Sequence, residues 1–146
     1  MTNWMCITTS GNWRTINKNN VWGISTRDMK RVRRMNVGDI LVFYTKQERE
    51  NDLIVGPSIV GAYKVVSEPN KSKNKVFSSS SSKTFPFLVN IEAYVLPEKP
   101  LDFKVLVPRL SFIEHKRHWG CYLQRAMVKL TEEEAAFVIS QLRLST

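Results

Sequence analysis

The chain has 146 residues and a mass of 16.9 kDa, which is the size of one ordinary domain, so we expect a single domain over residues 1–146. Hydrophobic residues make up 42% and charged residues 24%, which argues against a disordered chain, collagen or a coiled coil. The 22 Lys and Arg against 13 Asp and Glu give a formal charge of +9, which favours a polyanionic partner. Neither a membrane-spanning run nor a signal-peptide pattern occurs, so we expect a cytoplasmic protein without membrane contact.

The first residues predict a strand, a short helix and a loop. The β-prone run of residues 4–8 predicts the strand, which ends in a polar turn. Asn12 is expected to cap the helix, and Asn19 and Asn20 end its pattern. Trp22 then falls in a loop.

The next segments predict a basic helix and two strands. A helix from about Arg27 to Met35 carries five Lys and Arg residues on its outer faces. Residues 40–45 are too apolar for a strand with one exposed side, so we expect a central strand. A loop over residues 46–52 and a strand over residues 58–67 follow, and Gly61 in that strand indicates a bulge or a close contact.

A composition shift then predicts a long polar loop. Residues 68–84 are rich in Ser, Lys and Asn, which favours a mobile surface loop. The alternative is a loop that orders over a ligand, because Phe77 is an isolated aromatic residue within it. Residues 85–95 resume the alternation of a strand.

The C-terminal part predicts an irregular connection and a helix. Residues 101–113 hold apolar anchors without a regular period. Thr131 and Glu134 form a capping box, which predicts a last helix over about residues 132–143. Strands interrupted by short helices and followed by a terminal helix give an α+β fold, most simply a small mixed barrel or curled sheet with helices packed around it.

Residue types that support metal or nucleophilic chemistry are sparse. Cys6 and Cys121 have no partner at metal-ligand spacing, so we expect reduced structural cysteines and no metal. The two histidines, His115 and His118, lie in one basic stretch without a nucleophile motif, and the glycines form no phosphate-binding motif. We therefore expect no cofactor and no enzymatic activity.

Aromatic residues amid positive charge remain as the informative pattern. Unpaired or flipped bases stack on aromatic rings while Lys and Arg hold the phosphates. Trp22 is the leading candidate because neither helix nor strand periodicity explains it, although a core residue that plugs one end of a barrel would show the same pattern. Trp4 and Trp13 follow apolar patterns and are expected in the core.

Several short segments occur in an order and spacing that identify a family resemblance. They are Asn3–Trp4, Asn20–Gly23, Val37–Asp39, Leu41–Tyr44, Ile59–Gly61 and Leu123–Arg125. In this order they resemble the EVE domain, a member of the PUA-like superfamily and a relative of the YTH domain. The whole chain is also similar to small archaeal proteins of the UPF0310 type, in which this domain stands alone.

The resemblance implies a PUA-like mixed β-barrel with short helices around it, a C-terminal helix and a pocket for a modified base. YTH domains hold the methyl group of N6-methyladenine of RNA in an aromatic cage, and the EVE pocket is associated with modified bases of DNA or RNA. By position, Trp22 matches the first cage tryptophan and Gly23 follows as a backbone contact. Asn12 and Thr8 match residues that read the base edge, and Thr45 stands where EVE sequences carry a serine.

The rest of the cage and the phosphate contacts are matched less directly. Phe77 and Phe85 are the aromatic residues nearest to the segment that completes the YTH cage. Arg125 matches a basic residue that meets phosphate. The basic helix supplies the other expected phosphate contacts, which are Arg27, Lys30, Arg31 and Arg34.

Three hypotheses for function follow. The first is a non-enzymatic module that binds RNA or DNA carrying a modified, methylated base. The second is a sensor or regulatory subunit whose pocket takes a free nucleobase or nucleoside. The third is a nucleic-acid-processing enzyme that uses His115 or His118. The sequence identifies no protein partner.

Overall fold

The computed structural model of the protein describes residues 2–24, 28, 35–50, 53–71, 87–123 and 126–145, with the backbone alone at residues 48–50, 53–55, 71 and 121. The strands within this part are β1 Asn3–Thr8, β2 Val21–Ile24, β3 Ile40–Thr45, β4 Glu48–Glu50, β5 Leu53–Val55, β6 Ser58–Val65, β7 Asn70–Lys71, β8 Phe87–Val95, β9 Leu101–Asp102 and β10 Met127–Leu130. The α-helices are α1 Ser10–Asn19 and α2 Glu132–Leu144, and 3-10 turns occupy Phe103–Val105, Val107–Arg109 and Lys116–Leu123.

Eight strands form one curled mixed sheet. Its order is β10-β1-β3-β6-β8-β2, with β7 paired to β8 and β9 paired to β6, while β4 and β5 form a separate hairpin. Only β1 and β3 run parallel among these paired strands. A parallel pair requires a crossover connection, which here contains α1 and β2. This half-barrel with helices, one of them C-terminal, confirms the predicted α+β fold class.

The central strand β3 separates two hydrophobic cores. Ile40, Val42 and Tyr44 point into the first core, which packs against α2 and the connection after β9. Leu41 and Phe43 point into the second core, which packs against α1 and β2. All six residues of β3 are buried, because a strand with helices or loops on both faces alternates between two apolar environments. The bounds of this strand were predicted correctly.

The irregular connection before the last helix fills the first core. Its anchors are fully buried although they follow no helix or strand period; they are Phe103, Leu106, Leu110 and Ile113. Short 3-10 turns set these side chains inward. The prediction of an irregular segment with apolar anchors is confirmed.

The capping box at the start of α2 is present as predicted. Thr131 Oγ1 accepts a hydrogen bond from the backbone N–H of Glu134, and Glu134 Oε1 accepts one from the backbone N–H of Thr131. The helix ends at Leu144, one residue beyond the prediction. Its buried face consists of Ala135, Val138, Ile139 and Leu142, with Glu134 buried beside them.

Glu134 also fastens the connection to α2. Its Oε2 accepts hydrogen bonds from the backbone N–H of Ser111 at 2.6 Å and from the Ser111 hydroxyl at 3.2 Å. Burial opposes ionisation, but the hydrogen bonds from Thr131 and Ser111 outweigh it, so the pKa of Glu134 lies below its usual value. A lowered pKa stabilises the fold above the unfolded-state pKa, and that contribution is lost as the pH falls through the folded-state pKa.

We expect Glu134→Ala to lower the free energy of unfolding by roughly 1–3 kcal/mol at neutral pH, because the Ser111 and Thr131 donors lose their acceptor. The loss should shrink as the pH falls below the folded-state pKa. Urea unfolding at pH 7 and over a series of decreasing pH values measures both effects. Glu133→Ala is the matched control, since Glu133 lies exposed in the same helical turn. Equal losses for the two variants at pH 7 would contradict the expectation.

Two predictions about α1 and β2 are wrong. Thr9, not Asn12, caps α1: Thr9 Oγ1 accepts a hydrogen bond from the backbone N–H of Asn12 at 3.2 Å, and the helix begins at Ser10. The predicted end is confirmed, with Asn20 in the left-handed region at φ 53°. Trp22 lies in β2 rather than in a loop, because β2 pairs with the distant strand β8.

Other segments were predicted in part. The loop predicted over residues 46–52 contains β4, which pairs with β5 in a hairpin. Gly61 makes the predicted close contact, since a Cβ there would lie 2.9 Å from Leu96 Cδ2. The pairing of β3 with β6 also shifts register opposite this glycine.

Much of the basic helix and of the polar loop lies outside the described residues. Within the predicted helix, Asp28 is helical and buried, and Met35 is buried in the second core. Within the polar loop, Asn70–Lys71 form the short strand β7. Among the residues that the structure covers, no helix has the length and apolar character needed to cross a membrane.

Candidate functional site

The carboxyl ends of the two parallel strands bring polar side chains together at one edge of the sheet. β1 ends at Thr8 and β3 ends at Thr45, and the two residues are in register. Both are 6% exposed, and neither hydroxyl makes a hydrogen bond within the described part of the chain. The edge thus presents two hydroxyl groups, each a donor and an acceptor.

The start of α1 lies directly at this edge. Thr9 follows the end of β1 and caps the helix, so Asn12 is in its first turn. Asn12 is partly buried. No acidic residue occurs in this turn, and the amino end of a helix carries partial positive charge. We call Thr8, Asn12, Trp22, Gly23 and Thr45 the edge site.

Trp22 belongs to the same face of the sheet as the two threonines. Side chains alternate between the two faces of a strand, so Thr8 points to the same side of the sheet as Cys6, and Thr45 to the same side as Phe43. Cys6, Phe43 and Trp22 are all members of the second core. Trp22 packs edge-on against Phe43, with ring centroids 5.4 Å apart at 71°. Trp22 therefore lies on the second-core face, in contact with the ring that is two residues before Thr45 on β3.

The floor of the edge site is an aromatic cluster centred on Phe43. Trp13 from α1 lies 5.5 Å from the Phe43 centroid, and Tyr63 from β6 lies 5.5 Å from it at 89°. The Tyr63 hydroxyl donates a hydrogen bond to Asn17 Oδ1 at 2.8 Å. Burial raises the pKa of Tyr63, so its phenol is neutral at physiological pH. These contacts fix the position of the ring on which Trp22 rests.

Trp22 is 5% exposed, so its ring is covered in this structure. Its indole N–H points to the sulfur of Met127 at 3.5 Å, and Met127 pairs with Cys6 across β1 and β10. Thioether sulfur and aromatic rings make favourable, easily rearranged contacts. Gly23, the next residue, is buried in β2 opposite Leu88.

The one described free thiol near the site is protonated. Cys6 is fully buried, and burial together with the nearby charge of Asp28 raises the pKa of Cys6 well above its usual value. A buried neutral thiol is a poor nucleophile. The described side chains also contain no cluster of three or more His, Cys, Asp or Glu that could hold a metal ion. The polar groups that the edge site presents are the hydroxyls of Thr8 and Thr45 and the side chain of Asn12, while the Trp22 ring is covered.

Of the predicted site residues, Thr8 and Thr45 are in register and Asn12 lies in the helical turn after Thr8, while Trp22 and Gly23 lie on β2, with Trp22 in the second core. The other predicted base and phosphate contacts lie outside the described residues; they are Phe77, Phe85, Arg27, Lys30, Arg31, Arg34 and Arg125.

Sequence reasoning missed two residues that contact Trp22. Phe43 was recognised as part of a central strand, but alternation within an all-apolar strand does not say which residue meets a distant tryptophan. Met127 lies on β10, a strand of four residues that carried no predicted element.

The fold is the one seen in YTH domains. A solved structure of the Mmi1 YTH domain is similar over 99% of this chain and 96% of its own, with a TM-score of 0.69 and 14% identity. The structure of the Mmi1 YTH domain in complex with RNA has a TM-score of 0.66 and 15% identity, covering 98% of this chain and 78% of that one.

The sequence then gives the family. The family profile of the EVE domain matches residues 2–141. A UPF0310 protein of Pyrococcus abyssi is 39% identical over 144 residues, which is 97% of this chain and 100% of that protein. The chain belongs to the EVE domain family and is similar to proteins of the UPF0310 type.

Proposed function

We propose that this protein is a non-enzymatic module that holds a modified, methylated base of RNA or DNA at the edge site. The observation that carries the proposal is that Trp22 shares a face of the sheet with the two hydroxyls of Thr8 and Thr45, and that Thr8 directly precedes the cap of α1. One ring and several short polar groups are what recognition of an unpaired base requires.

The base would stack on Trp22 and be read by polar groups around it. Thr8, Thr45 and Asn12 supply side-chain donors and acceptors for the base edge, and Gly23 supplies a backbone contact. Because Trp22 is covered, the base can enter only if side chains over the indole move aside. The flexible Met127 side chain is suited to that movement. Phe77 or Phe85 is proposed as the second aromatic surface.

The likeness to RNA-bound YTH structures supports a nucleic acid as the partner. One solved structure of the Mmi1 YTH domain is a complex with RNA, and the present chain carries a formal charge of +9, which favours a polyanion. The proposed phosphate contacts are Arg125 and the basic residues Arg27, Lys30, Arg31 and Arg34.

A binding titration with three matched single strands tests the proposal. The strands differ at one central position, which is N6-methyladenine, adenine or an abasic site, and RNA and DNA versions are compared at two salt concentrations. We expect the methylated strand to bind most tightly and the abasic strand most weakly. The differences should persist at the higher salt, because stacking and base-edge hydrogen bonds release no counterions. A 5-methylcytosine set tests a second modification.

The double variant Thr8→Val and Thr45→Val tests the two hydroxyl groups, since valine keeps the shape of threonine and removes the hydroxyl. It should weaken the preference for a base over the abasic site and retain the part that comes from stacking on Trp22. Equal binding of all strands, with complete loss at high salt, would contradict base recognition. Tight binding of the free nucleoside with no gain from a strand would identify a nucleoside sensor instead.

A further inference from the structure

An exposed basic segment follows the buried connection of the first core. His115, Lys116, Arg117 and His118 are consecutive and all exposed. Glu114 is the acidic residue next to them. We call residues 115–123 the strap; its 3-10 turn begins at Lys116 and ends at Leu123.

Aromatic contacts on the side of the first core hold the strap beside the end of β3. Trp119 packs against Phe103 with ring centroids 5.3 Å apart, and Phe103 packs against Tyr44 at 4.7 Å. Tyr44 is the residue before Thr45, so this stack ties the strap to the sheet edge that holds the edge site. Leu123 is buried in the first core.

Hydrogen bonds also hold the strap in one place. The backbone N–H of His115 donates to the Tyr122 hydroxyl at 3.2 Å, and Lys116 Nζ donates to the carbonyl oxygen of Leu110 at 2.8 Å. An ammonium group has three donors, so Lys116 keeps two for another acceptor. The cationic side chains thus project from an anchored backbone.

The chain then crosses to the other face at the same edge. The carbonyl oxygen of Ala126 accepts a hydrogen bond from the backbone N–H of Ile7 at 2.8 Å. The next residue, Met127, lies in the second core in contact with the Trp22 indole N–H. Leu123 is therefore buried in the first core, whereas Ala126 packs against the second core and is hydrogen-bonded to Ile7, the residue before Thr8.

We propose that the strap is a phosphate-binding rim of the edge site, with Arg117 and Lys116 contacting the backbone of the strand whose base is held there. This inference rests on the proposed function. Arg117 is exposed and has no ion pair or hydrogen bond within the described residues, so it is available to a phosphate. Its planar guanidinium can bind a phosphate through two parallel hydrogen bonds.

The test compares Arg117→Gln with Lys129→Gln, which removes one charge from an exposed residue of β10 paired with Trp4, near the other end of β1. Binding of the methylated single strand is measured over a series of salt concentrations, and binding of the free methylated nucleoside is measured in parallel. Arg117→Gln should reduce the slope of log affinity against log salt by about 0.7, the value for one phosphate contact in a single strand. Its nucleoside affinity should equal that of the unmodified protein.

Two results separate the rim from the pocket. If Arg117→Gln and Lys129→Gln have the same slope as the unmodified protein, and base preference is intact, then the rim proposal is wrong and the base site stands. If the unmodified protein shows no preference for any base over the abasic strand, the proposed function and the rim fail together. Thermal unfolding of both variants verifies that the exposed substitutions leave the fold intact.

Discussion

Replacing Phe43 with alanine should lower the free energy of unfolding by roughly 3–5 kcal/mol, the range for removing a large aromatic side chain from a core. Phe43 is fully buried, and it contacts the rings of Trp13, Trp22 and Tyr63. Its loss leaves a cavity bounded by three large rings that cannot all collapse into it. Chemical unfolding monitored by circular dichroism measures the effect.

The control is Val105→Ala, in the 3-10 turn after β9, where Val105 is 55% exposed. This variant should lie within about 0.5 kcal/mol of the unmodified protein. A loss for Phe43→Ala as small as that of the control would show that the aromatic cluster does not hold the second core together.

The second large effect is expected at Trp22. Trp22→Ala should reduce both stability, by roughly 3–5 kcal/mol, and affinity for a strand with a methylated base. Stacking of one base is worth roughly 1–3 kcal/mol, which is about 5- to 150-fold in affinity. Trp22→Phe keeps a ring against Phe43 and loses the indole N–H, so it should retain more of both quantities. Unfolding curves and binding titrations of the two variants measure them.

A control of similar instability separates binding from folding. Leu142→Ala removes a fully buried side chain from α2 in the first core, which costs roughly 2–5 kcal/mol. Under conditions where all variants are folded, Leu142→Ala should bind as the unmodified protein does. If Trp22→Ala binds as well as Leu142→Ala, Trp22 does not hold the base.

Local signals in the sequence predicted the elements that depend on neighbouring residues. The Thr131 and Glu134 capping box fixes the start of α2 through contacts three residues apart. The apolar run Ile40–Thr45 identifies a strand covered on both faces. Each of these depends on chemistry contained within a few consecutive residues, so the sequence alone is sufficient.

Elements that depend on distant pairing were predicted poorly. β2 has four residues and is held by β8, more than sixty positions later in the chain, so Trp22 carried no strand pattern of its own. α1 begins earlier than predicted because Thr9 and Asn12 are both good caps, and the end of β1 at Thr8 decides between them.

The candidate site shows the same division. Thr8, Asn12, Trp22, Gly23 and Thr45 were singled out through the family resemblance, and the alternation of side chains along β1 and β3 explains why Thr8 and Thr45 share the second-core face with Trp22. The contact of Trp22 with Met127 joins residues 105 positions apart, and the strap at the sheet edge is visible only once Trp119, Phe103 and Tyr44 are seen to stack.

The most direct test of the base site is an NMR titration of the labelled protein with a short RNA that carries one N6-methyladenine. The account predicts the largest chemical-shift changes at the Trp22 indole N–H and at the backbone amides of Thr8, Asn12, Gly23 and Thr45. The strand with an abasic site should leave the chemical shifts of these signals unchanged. The exposed groove beside α2, lined by Lys64, Tyr94 and Arg143, should remain unchanged. Shifts confined to that groove, with the edge-site signals unmoved, would contradict the central claim.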